Sequence, residues 1–457
     1  MACTLQDDWL QDLKKNASAD ETSSPNYWTS DQSTLITTCQ PISFSLGSGA
    51  QILNSMLSKC EATSRELIIV TCFWAKSPSQ ESICSLLVKL SAKALAQKRK
   101  IQVWICFSSC SISQKLSQTS SLEGKIYPPS AWASLSLPPP DQLTGLRMVV
   151  KSIFVRPFGV MHPKFILSDR SLAFMPSCNV SWENWFEGCI EMRGGITEKL
   201  FDFWVSFWAR ANAPSPGFLP AEIETNETLE HGAAAPAVPL LKQTNFSSEL
   251  IATQTILLPS PHHVNPRFRL IYLTPPCPST PLNLFLLRLF SQAKRTIFIQ
   301  TPNITSEPVI EALHAALVRG VGVHLVTSSK LMILEQLVTA GTITEFEMWK
   351  LRRRHRKLTA AHAKADPETG LQKPGSLKIG YFHAREDVSG EDEPVKSHLK
   401  LVIVDDDVTI LGSGNMDLGN SWYTSQELGI VFFSSEVAGE IRKSVDEGLV
   451  GRVDYVC

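Results

Sequence analysis

Two stretches of the sequence share one pattern: HPKFILSD at 162–169 followed by PSCN at 176–179, and HLKLVIVD at 398–405 followed by GSGN at 412–415. A single offset of 236 residues relates the two stretches, and no insertion is needed. That offset pairs His162 with His398, Lys164 with Lys400, Asp169 with Asp405, Ser177 with Ser413, Asn179 with Asn415, and Glu191 with Glu427. So many polar matches within so short a stretch indicate that the chain is an internal duplication.

The segments that precede the two motifs also correspond. Each reads as an apolar strand, a helix and a second apolar strand, at 65–75, 81–98 and 101–107 in the first half and at 295–305, 307–320 and 321–327 in the second. Strands that alternate with helices predict an α/β unit with parallel strands. The predicted fold class is therefore α/β, with two tandem units that each contain a mixed, largely parallel sheet flanked by helices.

Composition suggests how the chain is divided. The predicted parts are a peripheral N-terminal segment (1–44), a first half (45–211), a Pro/Ala-rich linker (212–245) and a second half (246–457) with an insertion at 331–396. Pro-rich and Ala-rich stretches between patterned segments are typical of connectors.

Composition and charge limit the classes of protein that fit. The chain has 457 residues, 43% of them hydrophobic, and a net charge of −1, so no overall basic field favours nucleic acid or anionic membrane. Its apolar runs are too short to span a bilayer, and its N-terminus resembles neither a secretory signal nor a mitochondrial presequence. Eleven cysteines without CxxC pairs do not form a disulfide or zinc pattern. We expect a protein that is cytoplasmic, peripheral on a membrane at most, and not secreted.

The two His-x-Lys pairs are the candidate reactive groups. Side chains two residues apart on a strand point to the same face, so each imidazole projects together with an ammonium. An unpaired cation on an otherwise apolar strand is costly and calls for a partner or a ligand. Ser177, Asn179, Ser413 and Asn415 would add hydroxyl and amide groups beside them.

This set of donors and cations suits the oxygens of a phosphate. A neutral imidazole can attack phosphorus, and a second imidazolium can protonate the leaving oxygen. Lysines and amide donors would stabilise the charge that develops on the nonbridging oxygens. Fixed cations then fill the role of a metal, and they would repel a divalent ion. The predicted site therefore uses no metal and no cofactor.

The pattern HxK(x)4D(x)6GSxN, present twice, resembles the signature of the phospholipase D superfamily. The second copy matches throughout, whereas Pro176 occupies the glycine position in the first copy. The duplicated pattern extends over roughly 45–457, which is most of the chain.

The resemblance implies a mechanism and a role for each matched residue. Two halves related by a pseudo-two-fold axis would form one active site at their interface, and one histidine would form a phosphohistidine that water or an alcohol resolves. His162 would be the nucleophile and His398 the acid/base, with the two motif lysines beside them. Glu191 and Glu427 would orient the imidazoles, and the serines and asparagines would bind the substrate phosphate. Asp169 and Asp405 belong to the catalytic motif, but in this family they are mainly structural.

The resemblance also implies an activity. The chain looks most like the phospholipase D and cardiolipin synthase members, which predicts a phosphodiesterase or phosphatidyltransferase acting on phospholipids. One alternative is a nucleic-acid phosphodiesterase of the same superfamily, and another is a non-catalytic phosphate- or lipid-binding scaffold. The near-zero charge disfavours the first alternative, and the paired histidines disfavour the second.

Two further basic features have simpler interpretations. His362 and Lys364 repeat the His-x-Lys spacing in a polar helical region, but Thr369 stands where the motif requires Asp, so the pair is interpreted as structural. The run KLRRRHRK at 350–357 could contact anionic headgroups or nucleic acid. A solvated helix face is the favoured interpretation, because Glu345 and Glu347 precede the run.

Overall fold

The computed structural model describes residues 2–16, 31–118, 121, 123–155, 159–210, 239–261, 278–364, 372–386 and 393–457. The helices are α1 (Ala2–Asn16), α2 (Gly49–Cys60), α3 (Pro78–Ala96), α4 (Ile112–Ser117), α5 (Gly195–Trp204), α6 (Pro281–Gln292), α7 (Glu307–Val318), α8 (Ile333–Thr339), α9 (Thr344–Lys364) and α10 (Ser435–Gly448). The strands are β1 (Ile36–Gly47), β2 (Glu66–Phe73), β3 (Ile101–Ser109), β4 (Lys125–Tyr127), β5 (Leu146–Ser152), β6 (Phe154–Val155), β7 (Gly159–Val160), β8 (Phe165–Ser168), β9 (Leu172–Pro176), β10 (Trp185–Arg193), β11 (Lys242–Asn245), β12 (Thr253–Ser260), β13 (Thr296–Gln300), β14 (Gly322–Ser328), β15 (Leu377–Phe382), β16 (Lys396–Ser397), β17 (Leu401–Val404), β18 (Val408–Gly412), β19 (Glu427–Phe433) and β20 (Val453–Tyr455).

The chain forms two compact units. The N-terminal unit contains the described residues of Thr38–Arg156 and Pro163–Ala252, and the C-terminal unit contains those of Met1–Thr37, Pro157–His162 and Thr253–Cys457. The division between the units therefore passes between His162 and Pro163, inside the first motif. A linear reading of the sequence cannot place a boundary there, because it assigns contiguous stretches to each half.

The N-terminal unit contains a mixed sheet. Strands β2, β3 and β5 pair in parallel, which is the arrangement that a strand–helix–strand sequence predicts. The other side of β2 continues through antiparallel pairs from β2 to β8, β8 to β9, β9 to β10 and β10 to β1. The first motif continues through β8 and β9 in the antiparallel part of the sheet, and His162 and Lys164 lie in the segment just before β8.

The C-terminal unit repeats this topology strand by strand. Strands β13, β14 and β15 pair in parallel, and antiparallel pairs run from β13 to β17, β17 to β18, β18 to β19 and β19 to β12. The second motif lies on β17 and β18, as the first lies on β8 and β9. The prediction of a duplicated α/β fold with a mixed sheet in each unit is confirmed.

Local sequence explains where these elements form. Ser77 and Thr280 are N-caps whose side chains accept hydrogen bonds from Gln80 N and Asn283 N, and each is followed by a proline in the first helical turn. The strand β2 (ELIIVTCF) is buried at seven of its eight residues. Near-continuous apolar runs of this kind suit strands that are covered on both faces of a sheet.

The region 331–396 is only partly an insertion. Strand β15 lies inside it and pairs in parallel with β14, as β5 pairs with β3 in the other unit. The added elements are α8 and α9, while residues 365–371 and 387–392 lie outside the described residues. Strand β15 was not predicted from the sequence, because the sequence around it is polar and the strand begins with alternating buried and exposed residues.

The N-terminal segment 1–44 is not peripheral. Leu5, Trp9 and Leu13 on α1 are at most 1% exposed and belong to the core of the C-terminal unit. The Trp9 indole donates a hydrogen bond to Pro281 O at 3.0 Å, and Arg288 pairs with Asp12. An amphipathic helix with one apolar stripe needs an apolar partner, and α6 provides it.

The predicted linker 212–245 is also shorter than expected. Its last residues form β11, where Ser43 pairs with Asn245 in the sheet of the N-terminal unit. Residues 211–238 lie outside the described residues.

The nine cysteines with described side chains are free thiols. Burial raises the pKa of Cys60 and of Cys106 to about 12, so both stay protonated at neutral pH and act as small core side chains.

Candidate active site

The motif aspartates hold the start of the neighbouring strand. The carboxylate of Asp169 accepts hydrogen bonds from the backbone N–H groups of Ser64, Arg65 and Glu66 at 2.7–2.8 Å. Asp405 accepts the corresponding three bonds at 2.7–2.9 Å, from Lys294, Arg295 and Thr296. Each aspartate also has a positive φ, near 50–56°, in the tight connection between the two motif strands. Both carboxylates are thus committed to backbone donors, so their grouping with the catalytic residues is corrected to a structural role.

Pro176 does not disturb the first motif. It pairs with Cys189 in regular register at the end of β9, and the next residue, Ser177, donates its backbone N–H to Gly188 O at 2.8 Å. In the second motif Ser413 donates to Leu428 O at 2.9 Å. The two serines therefore occupy the same position relative to the strand that follows.

The motif serines bind carboxylates. The Ser177 hydroxyl donates to Glu187, and the Ser413 hydroxyl donates to Glu427. Each Oγ also accepts a backbone N–H, from Gly188 at 2.9 Å and from Leu428 at 3.0 Å. A hydroxyl has one proton to donate, and here it goes to a carboxylate. In this structure each hydroxyl proton is therefore taken by a glutamate, and binding of the substrate phosphate by these serines stays a prediction.

The carboxylate that corresponds to Glu427 is Glu187, not Glu191. Glu191 lies four residues further along β10 than Glu187. There its carboxylate accepts a hydrogen bond from the Ser43 hydroxyl at 2.6 Å and pairs with Lys59. The offset of 236 fails here because ten residues separate serine from glutamate in the first motif and fourteen in the second. Glu187 therefore occupies the position relative to the motif serine that Glu427 has in the second motif, and the orienting role predicted for Glu191 stays a prediction.

Glu427 is the centre of a buried polar cluster. Its side chain is 1% exposed, and besides Ser413 it accepts the Ser421 hydroxyl on Oε1 at 2.8 Å. The other oxygen, Oε2, lies 2.9 Å from Nδ1 of His162. The His162 backbone is fixed to the same region, because its N–H donates to Gln426 O at 2.9 Å. A carboxylate that accepts Nδ1–H leaves the lone pair of the imidazole on Nε2, the nitrogen that could react.

His398 and Lys400 project to the same side of the chain, as their spacing requires. Lys400 Nζ lies 2.8 Å from His398 Nε2 and 2.7 Å from His398 O. An ammonium that donates to Nε2 requires a neutral imidazole with its lone pair at that nitrogen. Both side chains are buried, as is Lys164 in the other motif.

The motif asparagines share an unusual feature. The side-chain oxygens of Asn179 and Asn415 are buried, and neither has a hydrogen-bond partner among the described residues. Buried polar atoms are normally bonded, so a matched pair of unbonded ones points to a requirement other than stability. A cavity of 20 Å³ beside Lys400 and Asn415 has room for about one water molecule.

Two residues of this site were missed in the sequence. Glu187 could have been found by aligning EGCI at 187–190 with ELGI at 427–430, which share a glutamate at the start of an apolar strand. Ser421 gave no signal, because it lies in a loop without a counterpart pattern in the first half. It is placed by its own contacts: its hydroxyl accepts from Asn415 N at 2.9 Å and donates to Glu427.

The family described as "Cardiolipin synthase, PLD-like domain" matches residues 286–448, the part of the chain that contains the second motif and its glutamate. This stretch of the chain is therefore similar to the phospholipase D-like domain of that family. No curated protein matches the sequence.

Three solved structures are also similar to this chain. Phosphatidylserine synthase from Haemophilus influenzae Rd KW20 superimposes with a TM-score of 0.54 at 13% identity, over 93% of this chain and 90% of that one. The phospholipase D family member Nuc from Salmonella typhimurium matches 43% of this chain and 95% of its own, with 14% identity and a TM-score of 0.27. Polyphosphate kinase from Porphyromonas gingivalis matches 86% of this chain and 47% of its own, with 10% identity and a TM-score of 0.43. At these identities the first match supports the shared fold.

In the parts of the chain that the structure describes, none of the helices combines the length and apolarity that crossing a bilayer demands.

Proposed function

We propose that this protein is a metal-independent phosphodiesterase or phosphatidyltransferase that cleaves phospholipids through a phosphohistidine intermediate. The observation that supports it most strongly is the hydrogen bond between His162 Nδ1 and Glu427 Oε2. In the neutral ring this bond places the proton on Nδ1 and the lone pair on Nε2, the nitrogen that would attack phosphorus, and the carboxylate stabilises the positive charge that the ring acquires.

In the proposed first step, Nε2 of His162 attacks phosphorus and the bond from phosphorus to the leaving alcohol oxygen breaks. That oxygen takes a proton from His398 in its imidazolium form, so the headgroup leaves as a neutral alcohol. Lys400 would stabilise the nonbridging oxygens, with a phosphate oxygen replacing His398 Nε2 as its acceptor.

In the proposed second step, His398 accepts a proton from water or from an alcohol. The resulting oxygen attacks the phosphohistidine, the bond from phosphorus to His162 breaks, and His162 regains its free Nε2. Water gives phosphatidic acid, and the hydroxyl of a second phosphatidylglycerol gives cardiolipin. The substrate class rests on the matched family and on the fold shared with a phosphatidylserine synthase.

The first experiment is product analysis with the full chain and phosphatidylglycerol in mixed micelles containing EDTA, comparing wild type with His162→Ala. Phosphatidic acid or cardiolipin formed by wild type alone supports the proposal, and their ratio separates hydrolysis from transfer. Circular dichroism of both proteins shows that the variant is folded. If folded wild type forms no lipid product, the phospholipid proposal is rejected, and single-stranded DNA becomes the next substrate to test.

A second experiment addresses the intermediate. Acid quenching after brief incubation with radiolabelled phosphatidylglycerol should leave acid-labile, base-stable label on wild type and none on His162→Ala. Label that persists in His162→Ala and disappears in His398→Ala would reverse the roles of the two histidines.

A further inference from the structure

The outer faces of α8 and α9 expose a cluster of large apolar side chains, which we name the α8–α9 patch. The side chain of Leu334 is 79% exposed, and the other members are between 47% and 54% exposed. Its members are Met332, Leu334, Leu337, Val338, Phe346 and Trp349. Large exposed apolar side chains grouped on two consecutive helices indicate a candidate binding site.

Cations border the aromatic part of this patch. The rings of Phe346 and Trp349 stack with their centroids 5.8 Å apart, Lys350 Nζ lies 4.9 Å from the Phe346 centroid, and the Arg353 guanidinium lies 5.4 Å from that of Trp349. Further along the same outward face, Arg356 and Lys357 are exposed. Helical spacing thus places apolar and cationic side chains side by side on one surface.

The inner face of α9 is fixed to the C-terminal unit. Met348 and Leu351 are fully buried in its core, and Arg354 makes a two-pronged ion pair with Glu311 on α7. His355 Nε2 lies 2.8 Å from Gly375 O. The sequence run 350–357 therefore divides into two groups: Arg354 and His355 hold the helix in place, while Arg353, Arg356 and Lys357 face outward.

Neither Glu345 nor Glu347 forms an ion pair with these three outward-facing cations in the structure. Glu345 accepts the backbone N–H of Lys330 at 2.5 Å, and Glu347 is buried and pairs with Lys350 and with the Thr342 hydroxyl. Three exposed cations therefore remain beside six apolar side chains. The interpretation of the run as a solvated helix face leaves that apolar surface unexplained.

The patch is joined directly to the motif loop of the same unit. A Cβ on Gly419 would lie 2.4 Å from Cβ of Thr339, the last residue of α8, so the loop that follows Asn415 packs tightly against α8. The Thr344 hydroxyl at the start of α9 accepts from Ile304 N at 3.1 Å, and Ile304 pairs with Met416. A surface that binds at α8 and α9 would therefore lie next to Asn415.

We propose that the α8–α9 patch, with Arg353, Arg356 and Lys357, docks this protein onto bilayers that contain anionic phospholipids. Leucine and tryptophan side chains beside arginine and lysine match the boundary between acyl chains and headgroups. The outward cations complement the negative surface of such a bilayer. The proposal deepens the proposed function, because it brings the site to the surface where a phospholipid substrate would be found.

The test is sedimentation of the full chain with vesicles of phosphatidylcholine alone or with 30% phosphatidylglycerol (roughly the anionic fraction that gives a strong surface potential). The charge variant is Arg353→Gln/Arg356→Gln/Lys357→Gln, and the apolar variant is Leu334→Ser/Leu337→Ser/Trp349→Ser. Near a charged surface each cation contributes about a fivefold change in affinity, so the charge variant should lose on the order of 100-fold. The loss should shrink as salt is raised.

Matched controls lie on the N-terminal unit. Lys76→Gln/Lys98→Gln/Arg147→Gln removes three exposed cations, and Leu95→Ser/Leu116→Ser removes two exposed leucines. Both controls should bind vesicles like wild type. Bromine-labelled lipid should quench tryptophan fluorescence in wild type, and Trp349→Phe should remove most of that quenching.

Unchanged vesicle binding in both patch variants, or no binding of wild type to the anionic vesicles, would overturn the proposal. Sedimentation velocity tests whether the patch instead binds a second copy of the chain. If the wild-type protein self-associates, and the apolar variant loses that self-association but still binds vesicles, the patch is a self-association surface. Hydrolysis of the soluble diester bis(p-nitrophenyl) phosphate should stay within about twofold in all patch variants. Vesicle binding through the patch without any lipid product would retain the docking surface and reject the proposed function.

Discussion

His162 Nδ1 lies 2.9 Å from Oε2 of Glu427, a residue 265 positions further along the chain. The histidine of the first motif is thus held by the carboxylate of the second. The described residues 159–162 belong to the C-terminal unit, which explains how a local sequence motif becomes divided in the folded chain. The pairing makes Glu427 a positioning residue for the proposed nucleophile.

Glu427→Gln should lower kcat on phosphatidylglycerol by about 100-fold or more. The amide keeps the shape of the side chain but loses the charge that stabilises the imidazolium, and acid–base assistance of this kind contributes about 10² to 10⁴ in rate. A pH–rate profile displaced relative to wild type would distinguish positioning of His162 from a general loss of structure. Glu436→Gln, at an exposed position on α10, is the control and should leave both kcat and the profile unchanged.

The two carboxylates of β10 should give opposite results. Glu187→Gln should lower kcat, because Glu187 occupies the position that corresponds to Glu427. Glu191→Gln should lower stability by about 1–3 kcal/mol while turnover per folded molecule stays within about threefold, because Glu191 accepts a buried bond from Ser43 and neutralises Lys59. Urea titration followed by activity measurements on both variants tests this. If Glu191→Gln lowers kcat and Glu187→Gln lowers only stability, Glu191 is the counterpart of Glu427, as the constant offset of 236 predicts.

Asp169→Ala and Asp405→Ala should reduce the free energy of unfolding by at least about 2 kcal/mol each. Each substitution leaves three backbone N–H groups without their acceptor. Turnover per folded molecule should fall far less than in His162→Ala. Asp141→Ala, at an exposed position, controls for the loss of one charge. Full stability with abolished turnover would place the aspartates in the chemistry instead.

Trp9→Ala should destabilise the C-terminal unit by about 3–5 kcal/mol, the usual cost of removing a fully buried large aromatic side chain. Trp9 is 0% exposed, packs edge-on to Phe285 with ring centroids 5.8 Å apart and donates to Pro281 O. Trp182→Ala is the matched control, because Trp182 is 63% exposed. Thermal unfolding compares the two variants. Equal melting temperatures would mean that α1 does not contribute to the stability of the C-terminal unit, as expected of a peripheral segment.

Stability should fall as the pH is lowered from about 6.5 towards 4, in part because of His324. Burial first, and then the charges of Arg442 and Lys378, lower the pKa of His324 to about 3 in the folded state. Between that value and the unfolded value near 6.5, the unfolded chain binds the proton and the folded chain does not. The slope from this residue is at most about 1.4 kcal/mol per pH unit.

His324→Gln should reduce that slope, since glutamine does not titrate and can still accept from Arg442, which lies 3.2 Å from Nδ1 of His324. Urea denaturation of wild type and variant at a series of pH values measures both slopes. If the free energy of unfolding has the same pH dependence in wild type and variant, groups other than His324 cause the loss of stability in acid.

The duplication was visible in the sequence because it rests on short-range patterns. His-x-Lys on an extended strand, an apolar run after it and a serine at the end of the next strand recur at one spacing, and strand geometry fixes their side. The structure bears out the duplicated α/β fold, and in the second motif His398 and Lys400 do lie together. The strands β2 and β13, which are long buried apolar runs, were equally clear.

Other features depended on contacts between distant residues. The sequence could not indicate that α1 packs on α6, because an amphipathic helix shows which face is buried and not what covers it. It could not reveal β15, because a strand at the side of a sheet has a short and partly polar pattern. The constant offset of 236 pointed to Glu191 rather than Glu187, because both lie on the same face of one strand and differ only in their distance from Ser177.

The sequence by itself determined that this protein is a duplicated chain with two His-x-Lys motifs, each directly followed by an apolar strand, because strand periodicity and spacing are local properties. Only the tertiary structure decided which carboxylate serves each motif, since that depends on the length of a loop. It also decided that His162 belongs with Glu427. Hydrogen bonds between groups hundreds of residues apart form only once the intervening core has folded, so no local pattern records them.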